Sequence, residues 1–178
     1  MAQDRRPIPP LDVAKLERLA LRYVERFATT RGKLADYLRR KIRERGWEGE
    51  AANPEALAGR MAELGYVDDR AYAEARATAL GRRGLGARRV AGELRAARIG
   101  DEDAQAVAPG IEARAVAAAL TFARRKRLGP YGPVIVERAA REKQLGAMLR
   151  AGHALDLARR IVNAPAGTEL DEETLAEF

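Results

Sequence analysis

In this 178-residue chain apolar side chains recur three and four positions apart, in runs that glycine or proline repeatedly closes. That spacing gathers the apolar groups on one stripe of an α-helix, and a stripe of this kind has to be covered by another helix. Leu16, Ala20, Tyr23, Val24 and Phe27 make one stripe on a helix from about Leu11 to Ala28. Thr29 or Thr30 is placed to cap a second helix over 31–45, where Leu34, Leu38 and Ile42 fall four apart and Gly46 suits the C-terminus. A third helix starts at Pro54, with Asn53 as its cap, and ends before Gly65. The apolar residues are largely alanine and leucine, and the long β-branched and aromatic runs that strands favour are nearly absent.

The same order of elements then returns. Asp68 or Asp69 caps a helix reaching about Arg83, the turn Gly84-Leu85-Gly86 forms a hinge, and a helix follows over 87–98. A short helix over 101–108 is expected to stop at Pro109 and Gly110. A third block holds a helix over 111–128, a break at Gly129-Pro-Tyr-Gly-Pro133, a helix over 133–151 and a last one over 153–163. Residues 134–136, Val-Ile-Val, are read as helical, although a strand would also suit them. Sliding the sequence by 52 residues lays Leu38, Lys41, Ile42 and Trp47 over Val90, Glu93, Leu94 and Ile99; a further 54 lays Arg98 over Gly152 and Ile99 over His153. The expected fold is therefore all-α: an elongated, curved tandem array of three three-helix repeats of roughly 50 residues, over 11–66, 67–110 and 111–164. Residues 1–10 read as a disordered arm, and 165–178 as an acidic, disordered tail.

Arginine and lysine number 33 against 26 acidic residues, giving a formal charge of +7 and a pI near 10.1. Such an excess suits a polyanionic partner, and arginine suits planar contact with phosphate. There is no cysteine and one histidine, so neither thiolate metal sites nor the usual nucleophile–histidine triads can be assembled. His153 falls where the other blocks carry Trp47 and Ile99, and is expected to be a packing residue. No enzyme, metal or cofactor is expected. No apolar run approaches the roughly 18–20 residues that span a bilayer, and the N-terminus has no signal-like apolar stretch. A cytoplasmic, monomeric protein without membrane contact is the expectation.

Three basic clusters remain. The first is Lys33, Arg39, Arg40 and Arg43, partly offset by Asp36; the second is Arg82, Arg83, Arg88, Arg95 and Arg98; the third is Arg124, Arg125, Lys126 and Arg127. Arg88 and Arg95, seven apart, share a helical face, with Arg98 one turn beyond, while Arg89 is set to pair with Glu93. Each cluster alone could be a solvated face, or the arginine usage of a GC-rich genome. Stacked blocks would instead join them into one basic stripe along nucleic acid. The stripe lacks interleaved aromatic rings and amide side chains, which argues for salt-dependent phosphate contact and against reading of base sequence.

The stretch LRYVERFATTRGKLADYLRRKI resembles the first repeat of RecX proteins, and LGYVDDRAYAEA the signature between their repeats. GLGARRVAGELRAARI is similar to the second-repeat core, and FARRKRLGPYG to the start of the third. The resemblance covers roughly residues 14–163. It implies a modulator of the RecA recombinase that binds in the groove of the RecA–single-stranded DNA filament and damps its ATPase and strand exchange. It also implies that Tyr66, Asp68, Asp69 and Tyr72 are structural at a repeat junction, and that Arg82, Arg83, Arg88, Arg95 and Arg98 face the filament. MLRAGH at 148–153 departs from the Arg-Gly-Phe usual in the third repeat, and the proline arm and acidic tail lie outside the pattern.

Overall fold

The computed structural model describes residues 9–134 and 137–176. Over these the chain is all-helical: α1 (Val13–Arg26), α2 (Arg31–Arg45), α3 (Pro54–Glu63), α4 (Asp69–Arg82), α5 (Ala87–Ala96), α6 (Asp101–Glu112), α7 (Ala115–Lys126), α8 (Arg138–Arg150), α9 (Leu155–Asn163) and α10 (Glu172–Ala176). A 3-10 turn spans Gly129–Tyr131. No single helix among the described residues is long and apolar enough to cross a membrane. Most of the arm expected over 1–10 lies outside the described residues.

The first helices begin and end as their sequences dictate. Asp12 accepts from the Lys15 amide, Thr30 from that of Lys33 and Asn53 from that of Ala56, each satisfying an amide that the first turn leaves without an intrahelical partner. Gly46 closes α2 at φ 82°. Asp68 caps α4 by accepting from the Ala71 amide. Its neighbour Asp69 is buried and caps α2 instead, accepting from the Arg31 amide at 2.8 Å and from Arg31 Nε at 3.1 Å.

Packing divides the chain into two compact units. One comprises the residues up to Tyr72 together with Ala97–Ile99; the other takes Ala73–Ala96 and the chain from Gly100 onward. In the first, Leu16 and Ala20 of α1, Leu34 and Leu38 of α2, and Ala58 and Met61 of α3 share a core with Leu11 and Val67. A single parallel bridge ties Leu11 to Trp47. In the second unit Ala119, Phe122 and Ala123 of α7 pack with Met148 of α8 and Ala158, Ile161 and Val162 of α9.

Each unit contains a junction at which the end of one helix meets the start of another. In the first, the Thr30 hydroxyl donates to the Ala97 carbonyl at 2.5 Å, and Arg98 follows in the left-handed conformation, φ 60°. In the second, the Gly86 amide donates to the Ala151 carbonyl at 2.9 Å, and Gly152 follows at φ 94°. The Arg88 amide then donates to Gly152 at 3.1 Å. A Cβ on Gly86 would stand 2.4 Å from the Gly152 carbonyl carbon, so the turn 84–86 forms a close-packed joint with Gly152. Counted from their first residues, α2 and α5 bury matching positions, Leu34 and Leu38 against Val90 and Leu94. By packing, Leu38 therefore matches Leu94, one turn beyond its place in the sequence alignment.

Other expectations require correction. The helix expected to stop at 108 runs through Pro109 to Glu112, and the next begins at Ala115. Proline cannot donate to the carbonyl four residues back, but that residue, Gln105, is exposed and water can take its place. The helix expected from 133 begins at Arg138 instead; Val134 is irregular, and Ile135 and Val136 lie outside the described residues. The segment expected to be a disordered tail is docked as far as it is described. Leu170 and Leu175 are buried in the second unit's core, Leu170 just before the short helix α10 and Leu175 within it. The sequence signal is two leucines five apart among acids, too short a pattern to outweigh the charge.

Candidate nucleic-acid interface

Whether an arginine can meet phosphate depends on what its guanidinium already holds. In the first unit most of the expected cations are engaged. Arg39 pairs with Asp36 at 2.5 Å and also with Glu55, whose hydrogen bond is the chief cause of its raised pKa. Arg40 lies 3.7 Å from Glu44 and over the Tyr37 ring. Lys33 sits over the Tyr72 ring, with Nζ 3.4 Å from the hydroxyl. Arg43 is exposed. Arg98 is not one turn beyond Arg95 on the same helix, because α5 ends at Ala96. Its left-handed backbone turns the chain, and its Nε meets Asp36 at 3.1 Å.

The second unit is different. Arg82 and Arg83 at the end of α4, and Arg88 and Arg95 on α5, are exposed, and no ion pair or side-chain hydrogen bond holds them among the described residues. Arg88 and Arg95 share a face, opposite the buried Val90 and Leu94. Arg89, by contrast, pairs with Glu93 at 3.3 Å as its spacing predicts, and Arg76 reaches the same carboxylate at 2.9 Å. The pKa of Glu93 is lowered first by the Arg76 hydrogen bond, then by the charge of Arg89 and, least, by that of Arg83.

The third cluster belongs to the same unit. Gly84 lies so close to α7 that a Cβ there would come within 2.8 Å of the Phe122 nitrogen. Arg83 is the residue before that contact, and Arg125, one turn past it, lies over the Phe122 ring at 5.7 Å. Arg125, Lys126 and Arg127 are exposed, and Arg127 ends α7 in the left-handed conformation. Arg124 is committed elsewhere: it donates to the Leu170 carbonyl at 3.1 Å and covers the Tyr131 ring. The approach of Gly84 to Phe122 thus sets Arg82 and Arg83 beside the helix that carries the third cluster.

His153 is 2% exposed. Its Nε2 is 3.2 Å from the Gly84 carbonyl and its ring packs on Phe122, so it fastens the same joint. Burial lowers its pKa, against a smaller opposing effect of the Gly84 hydrogen bond. Among the described residues no three His, Asp or Glu side chains are grouped to hold a metal ion. Of the residues the family resemblance makes structural, Asp68, Asp69 and Tyr72 have the contacts described above. Tyr66, however, remains 52% exposed, and its neighbour Val67 takes the core position.

Sequence reasoning missed one group. Its spacing puts Phe27 in the buried stripe of α1, yet Phe27 is 48% exposed. Tyr23 stacks on Tyr37 at 4.2 Å between ring centroids and lies 5.1 Å from Phe27. Arg26 lies over Phe27, and Lys41 joins Arg40 over Tyr37. The four-residue spacing of Tyr23 and Phe27 is visible in the sequence; that α1 and α2 bring Tyr23 onto Tyr37 is not. No protein-family model matches the chain, and neither does any curated protein.

Proposed function

We propose that this chain is a non-enzymatic regulator of the RecX type, which binds the RecA–single-stranded DNA filament in the cytoplasm as a monomer and damps ATP hydrolysis and strand exchange. One observation carries this reading: Arg82, Arg83, Arg88 and Arg95 are exposed and held by no ion pair or side-chain hydrogen bond among the described residues, close in sequence to a joint that also places Arg125, Lys126 and Arg127 in the same unit. Unpaired guanidinium groups release condensed counterions from a phosphate backbone without first breaking internal ion pairs. Arg39, Arg40, Arg98 and Arg124, which have internal partners, contribute less on this reading.

The tandem three-helix array belongs to the same proposal. Its support is the likeness of the two junctions, in which the residue before a helix holds the carbonyl that precedes a left-handed residue, Ala97 with Arg98 and Ala151 with Gly152. A tandem array of such repeats would suit a long, repetitive polyanionic assembly. The recombinase as the partner follows from the resemblance of LGYVDDRAYAEA and GLGARRVAGELRAARI to the RecX repeats.

Titrating the protein into RecA hydrolysing ATP on single-stranded DNA tests the proposal. Hydrolysis should fall as the protein is added, and binding should be tighter to the coated than to the bare strand. Unaltered hydrolysis and unaltered strand exchange would overturn it. Equal affinity for bare and coated strands would assign the same arginines to a general helical DNA-binding protein without recombinase preference.

A further inference from the structure

The aromatic group on α1 and α2 does more than join two helices. Stacking Tyr23 on Tyr37, with ring planes 24° apart, fastens α1 to α2. Phe27 is not needed for that. It is the C-cap residue of α1, in extended backbone, and it continues the row of rings outward with nearly half its surface in water. Two of the cations around the row are held in place. Glu44 takes Lys41 at 2.6 Å and Arg40 at 3.7 Å, and its lowered pKa, caused first by Lys41, keeps that arrangement charged. Arg26, 5.3 Å from the Phe27 centroid, is exposed. Arg26, Arg40 and Lys41 all stand over rings of the row, so its rim is basic.

We propose that Phe27, backed by Tyr23 and Tyr37, is a stacking platform for an unpaired base of single-stranded nucleic acid, with Arg26 beside it for the adjoining phosphate. The inference rests on the reading that this chain engages nucleic acid, and it extends that reading from phosphate contact to the bases. Every base has a π-face, so such a platform takes single strands without reading their sequence, and a duplex, whose bases are already stacked, gains nothing from it. The rim favours an anionic polymer over an apolar peptide.

The test uses the full chain and two labelled single strands of equal length, oligothymidylate and the same backbone without bases, with binding read by fluorescence anisotropy. The intact protein should prefer the strand with bases by about fivefold, the effect of one stacked base. Phe27→Leu keeps apolar volume and loses the ring; it should remove the preference while leaving affinity for the abasic strand and the helical circular dichroism unchanged. Phe27→Trp should restore it. Equal binding of both strands by the intact protein, or an undiminished preference in Phe27→Leu, would overturn the platform. So would a Phe27→Leu defect confined to RecA binding in the absence of DNA, which would assign the ring to a protein contact. RecA hydrolysis damped as before by Phe27→Leu, without any base preference in the intact protein, would sink the platform and leave the regulatory reading standing.

Discussion

The hydroxyl of Thr30 donates to the carbonyl of Ala97, 67 positions away, while accepting the amide of Lys33. One fully buried oxygen therefore caps α2 and satisfies a carbonyl that α5 leaves behind. Thr30→Val has the same shape and neither bond. It should lose about 1–3 kcal/mol, the combined effect of a missing cap and an unsatisfied buried carbonyl. Thr30→Ser should keep most of the stability. Urea unfolding of the two variants separates the hydrogen bonds from packing.

Gly86 has no room for a side chain, whereas Gly92, on α5, has nothing within 4 Å of an added Cβ. Gly86→Ala should push the turn at 84–86 off Gly152 and lower stability by about 1–3 kcal/mol, in the range of overpacked sites. Gly92→Ala should raise it by roughly 0.5–1 kcal/mol through helix propensity. Thermal unfolding should move in opposite directions for the same chemical change.

Replacing Arg82, Arg88 and Arg95 together by alanine removes three exposed cations that make no ion pair or side-chain hydrogen bond among the described residues. Helicity should be unchanged and affinity for single strands should fall. The slope of log affinity against log salt should become shallower by roughly 2, at about 0.7 for each phosphate that is no longer neutralised. Arg98→Ala should change that slope little, because its guanidinium is committed to Asp36. An unchanged slope in the triple variant would remove these residues from the interface.

His153 gives the protein a pH dependence in a range where no other side chain normally titrates. Its folded pKa lies below its unfolded value, so below about pH 6.5 the unfolded chain binds a proton that the folded one resists. Stability should therefore be complete above neutrality and fall as the pH drops from about 7 toward 5, by at most roughly 1.4 kcal/mol per pH unit. His153→Gln should flatten the profile between those limits. Urea midpoints across the range measure both.

The C-terminal segment should behave as part of the core. Arg160 donates to the carbonyls of Leu175 at 2.7 Å and Thr174 at 2.8 Å, and Tyr131 reaches the Leu170 carbonyl. Leu175→Ala should lower stability by about 2–4 kcal/mol, as buried leucine truncations do. It should also expose the segment to proteases, whereas Glu172→Ala, at an exposed position, should do neither.

The sequence by itself determined the helices and most of their ends, because a cap, a glycine beyond the last turn and an apolar stripe act over four residues or fewer. Thr30, Asn53, Pro54 and Gly46 stand where such local rules put them. The pairing of Arg89 with Glu93 is of the same kind. Only the tertiary structure decided which cations are engaged, since Asp36 reaches Arg98 across 62 positions and Glu55 reaches Arg39 across 16. It also carried α6 through Pro109, drew Leu170 and Leu175 out of an acidic stretch into the core, and left Phe27 outside it. Each of those outcomes depends on which surfaces meet and where water remains, and spacing along the chain does not contain that information.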